Sequence, residues 1–339
     1  MPRGARRLDG HFPDCGRRCM TPPSLQLFRT HWGALPHVSL DEYLASTAEA
    51  GFDGVEAPVP ETASERAAFH KALQRSGLLW IAEVCTVPGP NFWTPKFGTT
   101  VAQHLEDLRR KVDLSLDGPT QPLFVNTMAG LDSWSYEEAL AFHVGVVELQ
   151  RETGVTVSVE THRGRPTFSP WQTRDLLCAI PELRLTADLS HWCVVSERLL
   201  LDDPIESDVI LPLLAQRVHH IQPRVGYAQG PQVPDPRAPE YAAEVEAHER
   251  WWDAIWAGQL ARGYQSLTMT PEFGPPTEGY LQSRPFTREP VGDQWVLNQW
   301  IGNRQRQRFQ HRYGAGRSTA RAHGCRYEVI SRARSAWLR

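Results

Sequence analysis

Short apolar runs rich in β-forming residues alternate along residues 25–302 with longer stretches in which apolar positions recur every three to four residues. This switching between a two-residue and a 3.6-residue period is the pattern of βα units built around a parallel sheet. It predicts eight strands, at 25–31, 54–58, 78–85, 123–127, 156–161, 183–188, 217–222 and 266–272, each followed by room for a helix. Helix starts are marked by two capping boxes, Ser39 with Glu42 and Ser135 with Glu138, and by Ser169 ahead of Pro170 at a first helical position. Leu140, Val144 and Val147 give one helix an apolar stripe, and Gly51 and Gly154 close two helices. Eight such repeats predict an α/β fold of one domain, a (β/α)₈ barrel rather than an open doubly wound sheet. Neither a dinucleotide-binding nor a phosphate-loop glycine pattern is present.

The two ends lack this pattern. Residues 1–24 show no apolar periodicity and are expected to form a flexible extension, or to lie upstream of a start at Met20. Residues 303–339, with ten arginines, the single acidic residue Glu328 and scattered apolar positions, read as a solvated tail. The barrel domain is therefore expected at 25–302. The chain holds 36 basic and 39 acidic residues, a formal charge of −3, but fifteen arginines lie in the two ends. Residues 25–302 thus carry 21 basic against 36 acidic side chains. A body of that charge repels phosphate backbones, so no nucleic-acid partner is expected. No apolar run is long enough to cross a bilayer, and no membrane partner is expected. Six dispersed cysteines without a Cys-x-x-Cys pair, and no signal-peptide pattern, suit free thiols in a reducing compartment, so the expected location is cytoplasmic. A homo-oligomer is left open.

Charge at the carboxyl end of a barrel strand is costly beside apolar strand layers unless something compensates it, and three predicted strands end in a carboxylate. Strand five reads Val157-Ser158-Val159-Glu160-Thr161-His162-Arg163, strand six Leu185-Thr186-Ala187-Asp188-Leu189-Ser190-His191-Trp192, and strand eight Met269-Thr270-Pro271-Glu272-Phe273-Gly274. Strand seven, Val218-His219-His220-Ile221-Gln222-Pro223-Arg224, puts His220, Gln222 and Arg224 on one face by alternation. Three carboxylates converging on one axis repel each other unless a cation sits among them, and oxygen-rich ligation suits Mg²⁺ or Mn²⁺. Any one of them could instead cap a helix or pair with arginine; the set of Glu160, Asp188 and Glu272 is what points to a divalent metal. The Asp188-x-x-His191 spacing brings an imidazole to the same place, as a substrate contact or a support for the ligands, although a lone histidine is more often a satisfied buried one.

These strand ends, with Arg224-Val225-Gly226-Tyr227, Gly230-Pro231-Gln232-Val233, Thr30-His31-Trp32-Gly33 and Gly51-Phe52-Asp53-Gly54-Val55-Glu56, resemble the xylose isomerase-like TIM barrels over roughly residues 25–300. That family includes sugar-phosphate isomerases and epimerases, inosose dehydratase and ketohexose 3-epimerases. The resemblance implies Glu160, Asp188 and Glu272 as metal ligands and Glu160 and Glu272 as the acid/base pair flanking a small sugar or polyol. It favours Mn²⁺ or Mg²⁺, with Co²⁺ and Zn²⁺ as further options. The family's fourth ligand is usually a histidine on strand seven, two residues before an arginine; this chain has Gln222 there, with His220 one pleat deeper. An amide oxygen can ligate a hard cation but lacks imidazole basicity, which implies a weaker fourth corner or a barrel that binds sugar without turnover.

Around this set, His191, Arg224, His162, Glu56 and Trp32 are expected to contact substrate, and Glu83 and Asn126 at the ends of strands three and four are weaker candidates. Phe92, Trp93, Trp134 and Trp192 also follow strands and either wall a pocket or pack in loops and core. The long segment 224–239, with Gly230-Pro231 and further prolines, is expected to act as a lid. The implied chemistry is proton transfer next to a carbonyl through an enediolate, a first step shared by isomerisation, epimerisation and dehydration. The rival on such a barrel, an apurinic-site endonuclease, needs further histidines, and Asp235-Pro236-Arg237 lacks the one expected after strand seven.

Overall fold

The computed structural model describes residues 22–314; the remainder of both predicted ends, 1–21 and 315–339, lies outside the described residues. Eight parallel strands close into a barrel in sequential order: β1 Ser24–Thr30, β2 Gly54–Pro58, β3 Leu79–Cys85, β4 Val125–Met128, β5 Val157–Glu160, β6 Arg184–Ala187, β7 Val218–Ile221 and β8 Ser266–Met269. Between and after them run α1 Leu40–Glu49, α2 Ala63–Ser76, α3 Val101–Leu116, α4 Tyr136–Thr153, α5 Pro170–Ala179, α6 Ser190–Ser196, α7 Pro204–Arg217, α8 Ala242–Ala261 and α9 Gln294–Tyr313. The predicted (β/α)₈ barrel is present. Each predicted strand overlaps an observed one, because valine- and isoleucine-rich runs buried on both faces are strong local signals.

The capping boxes at Ser39 and Ser135 form in both directions, and two more, Thr62 with Glu65 and Thr100 with Gln103, start α2 and α3. Ser169 stands at the cap position of α5 but makes no side-chain cap bond, so Pro170 supplies the start signal there.

The barrel interior is stratified by the alternation of its strands. At the bottom, Phe28, Ile81 and Phe124 form a small apolar plug of their own. Gly54 makes room for it: a Cβ at that position would lie 2.4 Å from the Phe28 ring. Above the plug the interior turns polar. Thr186 donates to Ser158 at 2.9 Å, and His220 sits between the hydroxyls of Thr268 at 2.8 Å and Thr270 at 3.0 Å. The main core lies outside the strands, where Leu73, Val112, Phe142, Leu176, Trp252 and Ile301 from the helices cover the barrel. Between β6 and β7 the register shifts from Leu185↔Val218 to Thr186↔His220. This bulge sets His219 edge-on against Phe124 of the plug, with ring centroids 4.6 Å apart and its Nδ1 2.9 Å from the Tyr264 hydroxyl, and leaves His220 and Gln222 buried above it.

Two expectations are corrected. α9 runs through Tyr313, past the boundary at 302, and is no solvated tail over that stretch. Ile301, Gln305 and Phe309 recur every four residues on its buried face, and Phe309 packs edge-on against Trp256 at 5.3 Å. The arginines that hid this stripe pair with α8 instead: Arg304 with Glu249 at 2.7 Å, and Arg308 and Arg312 with Asp253 at 2.9 and 2.7 Å. The segment 224–239 is not a lid. Val233 N–H donates to the Val225 carbonyl at 2.8 Å, Tyr227 and Gly230 close a turn, and the Gln232 side chain accepts from Gly274 N–H at 2.7 Å, so the loop is packed into the barrel rim. No described helix is long and apolar enough to cross a membrane, and among the described residues Cys85, Cys178 and Cys193 are free thiols.

Candidate metal and substrate site

The carboxyl ends of β5, β6 and β8 bring Glu160, Asp188 and Glu272 together: each offers an oxygen, and the three lie within 4.8 Å of one another, all buried. Local bonds hold their backbones. Thr167 donates to the Glu160 carbonyl at 2.5 Å and Thr161 to the Asp188 carbonyl at 2.8 Å, and the Ser190 N–H donates to Asp188 Oδ1 at 3.1 Å. Asn126 on β4 donates to Glu160 at 3.1 Å and to Glu56 at 2.7 Å, tying three strands beneath the site.

Gln222 stands at the fourth corner. Its amide nitrogen donates to Glu272 Oε1 at 3.2 Å and to Glu56 Oε1 at 3.4 Å, while its Oε1 is buried with no hydrogen-bond partner among the described residues. Asn126 Oδ1 and His191 Nδ1 are orphaned in the same way. A buried amide oxygen without a donor is unfavourable by roughly 1–3 kcal/mol, and a cation beside it would remove that cost. His220 lies deeper, 3.5 Å from Glu56, committed to the two threonines.

A buried cation, Arg224, touches the carboxylates. Arg224 pairs with Asp188 Oδ2, donates to Ser190 Oγ at 3.1 Å and to the Glu272 carbonyl at 3.3 Å, and approaches His191 Nε2 at 2.6 Å. A guanidinium only donates, so His191 accepts at Nε2 and carries its proton on Nδ1. His162 donates from Nδ1 to the Arg163 carbonyl, leaving its Nε2 lone pair free. The two rings lie 4.0 Å apart. Burial, followed by Arg165 for His162 and by His162 for His191, holds both well below the usual imidazole range, so both are neutral. His162 and His191 also form a second cluster of potential ligands with Glu160.

The carboxylates are shifted the other way. Burial, then Asp188 and Glu56, pushes Glu160 up to about 8; burial and then Glu160 lift Glu272 well above the carboxylate range, and burial also raises Asp188 against the pull of Arg224. For Glu160 the unfolded chain releases its proton near 4.5 and the folded chain near 8. Between those values the folded state holds the extra proton, so raising the pH favours unfolding. The metal-free protein is therefore expected to lose thermal stability as pH rises from about 4.5 to about 8, the contribution being complete below that window. Calorimetric melts in chelator across the window check this, and a melting temperature independent of pH counts against it.

Above the carboxylates opens a cavity of about 760 Å³. Glu160, Glu272, His162, Arg224 and Trp32 line it. Glu56 and His191 do not: Glu56 is buried beneath Asn126 and Gln222, and His191 beneath Arg224, so both support the floor rather than face a ligand. Trp134 packs on His104 and Phe142, and Trp192 donates to the Thr167 carbonyl at 3.0 Å, which makes both parts of the packing. Glu83 lines the cavity with no hydrogen-bond partner among the described residues, and burial followed by Glu56 and Glu160 raises it well above the carboxylate range. Thr277, Glu278 and Tyr280, in the loop after β8, were missed because that loop has no periodicity to mark it.

Gly226 lets the Arg224 loop approach the start of α6. A Cβ there would meet the Ser190 carbonyl oxygen at 2.6 Å and its Cα at 2.7 Å, backbone atoms that cannot swing aside. Gly226→Ala is expected to cost about 1–3 kcal/mol, read from the urea midpoint; an unchanged midpoint would show that the loop can back away.

The profile of the xylose isomerase-like TIM barrel matches residues 44–249. Among solved structures, a xylose isomerase-like TIM barrel protein from Mycobacterium smegmatis in complex with magnesium is 14% identical with a TM-score of 0.52, covering 86% of this chain and 96% of its own. An AP endonuclease, family 2, from Brucella melitensis is 15% identical with a TM-score of 0.51, covering 83% and 98%. A 3-keto-D-glucoside 4-epimerase from E. coli is 12% identical with a TM-score of 0.48, covering 84% and 100%. At such identities the likeness is one of fold. No curated protein matches the sequence significantly. The profile spans more than half of the chain, and the eight-stranded closed barrel agrees with it: this chain belongs to the xylose isomerase-like TIM barrel family.

Proposed function

We propose that the barrel is a divalent-metal-dependent isomerase or epimerase of a small sugar or polyol, working by proton transfer next to a carbonyl. The carrying observation is the trio Glu160, Asp188 and Glu272, buried under one cavity with oxygens within 4.8 Å of each other. These residues fit a hard cation: the donor set is oxygen, the carboxylates repel one another, and the Gln222 Oε1 lacks a donor. Glu160, Asp188, Gln222 and Glu272 would hold the ion, which when bound polarises a carbonyl and takes up negative charge developing on substrate oxygens.

The protein groups supply the rest. Glu160 and Glu272 both line the cavity, and one removes the carbon-bound proton while the other returns it. Arg224 and the neutral His162 face the same space and meet substrate oxygens. The acidic floor disfavours a phosphodiester, which argues against a nucleic-acid substrate. Metal analysis of protein purified without chelator, with a screen in deuterated water over ketoses and inososes, tests the reading: one substrate is expected to exchange a carbon-bound proton only with metal present. Metal-independent exchange, or none across the panel, overturns it.

The alternative is a sugar-binding barrel without turnover, favoured by one observation: Arg224 already neutralises Asp188. It predicts ligand binding with no exchange.

A further inference from the structure

The floor and the mouth of the cavity differ in chemistry. Carboxylates and Arg224 make the floor, whereas Trp32, Phe92, Trp93 and Tyr280 wall the upper part. A volume of about 760 Å³ falls in the upper part of the range of roughly 300–1,000 Å³ typical of sites for drug-sized ligands. A single sugar ring on the carboxylates would leave the aromatic part wet.

The aromatic wall is held in place before any ligand arrives. The loop from β3 to α3 folds into a small hairpin closed by the Pro88↔Pro95 bridge, with Gly89 N–H donating to the Thr94 carbonyl at 2.6 Å and Lys96 N–H to the Val87 carbonyl at 3.0 Å. Asn91, Phe92 and Trp93 form its tip. The hairpin starts at Val87 with φ +43°, a left-handed conformation that a β-branched residue adopts only under constraint. The constraint is Asp107, which accepts from Val87 N–H at 2.7 Å and is itself paired with Lys111 at 3.0 Å. Trp93 is pinned at both ends: buried Arg165 holds its carbonyl, and its ring N–H donates to Glu278 Oε2 at 2.5 Å across the mouth. Its ring meets Tyr280 edge-on at 6.3 Å, while Phe92 beside it lines the cavity yet stays 39% exposed. A ring held as Trp93 is loses little freedom when a ligand stacks on it.

We infer that the site takes a two-ring ligand: a polyol or keto-sugar ring on the carboxylate floor, joined to a second ring with an apolar face that stacks on Phe92 and Trp93. The second ring is another sugar or an aryl group, since both present such a face. This rests on the sugar-or-polyol reading above.

Calorimetric titration of the full chain with manganese chloride present tests it. The probes are methyl glycosides, disaccharides and phenyl glycosides in matched gluco, galacto and xylo configurations. In at least one configuration a two-ring probe is expected to bind roughly three- to tenfold tighter than its methyl counterpart. Phe92→Ala, at an exposed ring, and Trp93→Ala are each expected to bring that ratio toward one, with the disaccharide and phenyl arms telling which second ring is meant. Equal affinities in the wild type, or a ratio that survives both substitutions, overturn the two-ring inference alone. Binding of none of the probes overturns the sugar-or-polyol reading and this inference with it.

Discussion

Glu272→Gln is expected to lower the metal-dependent exchange of a substrate's carbon-bound proton with solvent by about 10²–10⁴-fold, the range for removal of a positioned acid or base. The change keeps shape and length, and the new amide oxygen can still accept from the Gln222 amide that now donates to Glu272 at 3.2 Å. What it removes is the ability to take a proton, together with one charged oxygen of the proposed metal site. Burial, and then Glu160, already hold Glu272 well above the ordinary carboxylate range, so it is a stronger base than an exposed glutamate once its proton is lost. Removing its charge also relieves repulsion among the three carboxylates, so the melting temperature in chelator is expected to stay level or rise while exchange is lost. Measuring both on one sample separates chemistry from folding. Exchange at the wild-type rate would remove Glu272 from the mechanism.

Arg224→Met is expected to destabilise the metal-free protein by about 3–5 kcal/mol, because it leaves Asp188 as a fully buried carboxylate without its cation. Methionine fills comparable space, so the loss is chiefly electrostatic. The effect should shrink when Asp188→Asn is added, since the pair shares one environment and their costs do not add. It should also shrink when a divalent ion is supplied, because the ion competes for the oxygen that Arg224 now holds. Denaturant midpoints of the four proteins in chelator, repeated with manganese, read both. If the single variant melts like the wild type in chelator, Asp188 is not charged there and the Arg224 pairing carries no stability.

What could be read from the sequence was what depends on near neighbours. The strands were visible because burial on both faces demands runs of valine, leucine and isoleucine, and Glu160, Asp188 and Glu272 stood out because a carboxylate ends each run. Two-residue alternation placed His220, Gln222 and Arg224 on the inward face correctly. The Thr62 and Thr100 caps are equally local, since Glu65 and Gln103 stand three residues after them. The end of α9 was obscured by its arginines, whose partners Glu249 and Asp253 lie on another helix.

The metal-site reading thus began in local pattern, and its shape was set by contacts distant in sequence. The strands, the helices between them and the carboxylate at each strand end follow from the chain's own periodicity, since hydrophobic burial and strand geometry act over a few residues. The tertiary structure alone decided that Arg224 lies on Asp188, that Gln222 is shared by Glu56 and Glu272, and that Glu56 and His191 sit below the cavity. It alone decided that the mouth belongs to the loops after β3 and β8, joined through Trp93 and Glu278, and not to the packed loop after β7. Each of these joins side chains brought together only when the barrel closes, and no period along the chain records which partner a buried polar group will find.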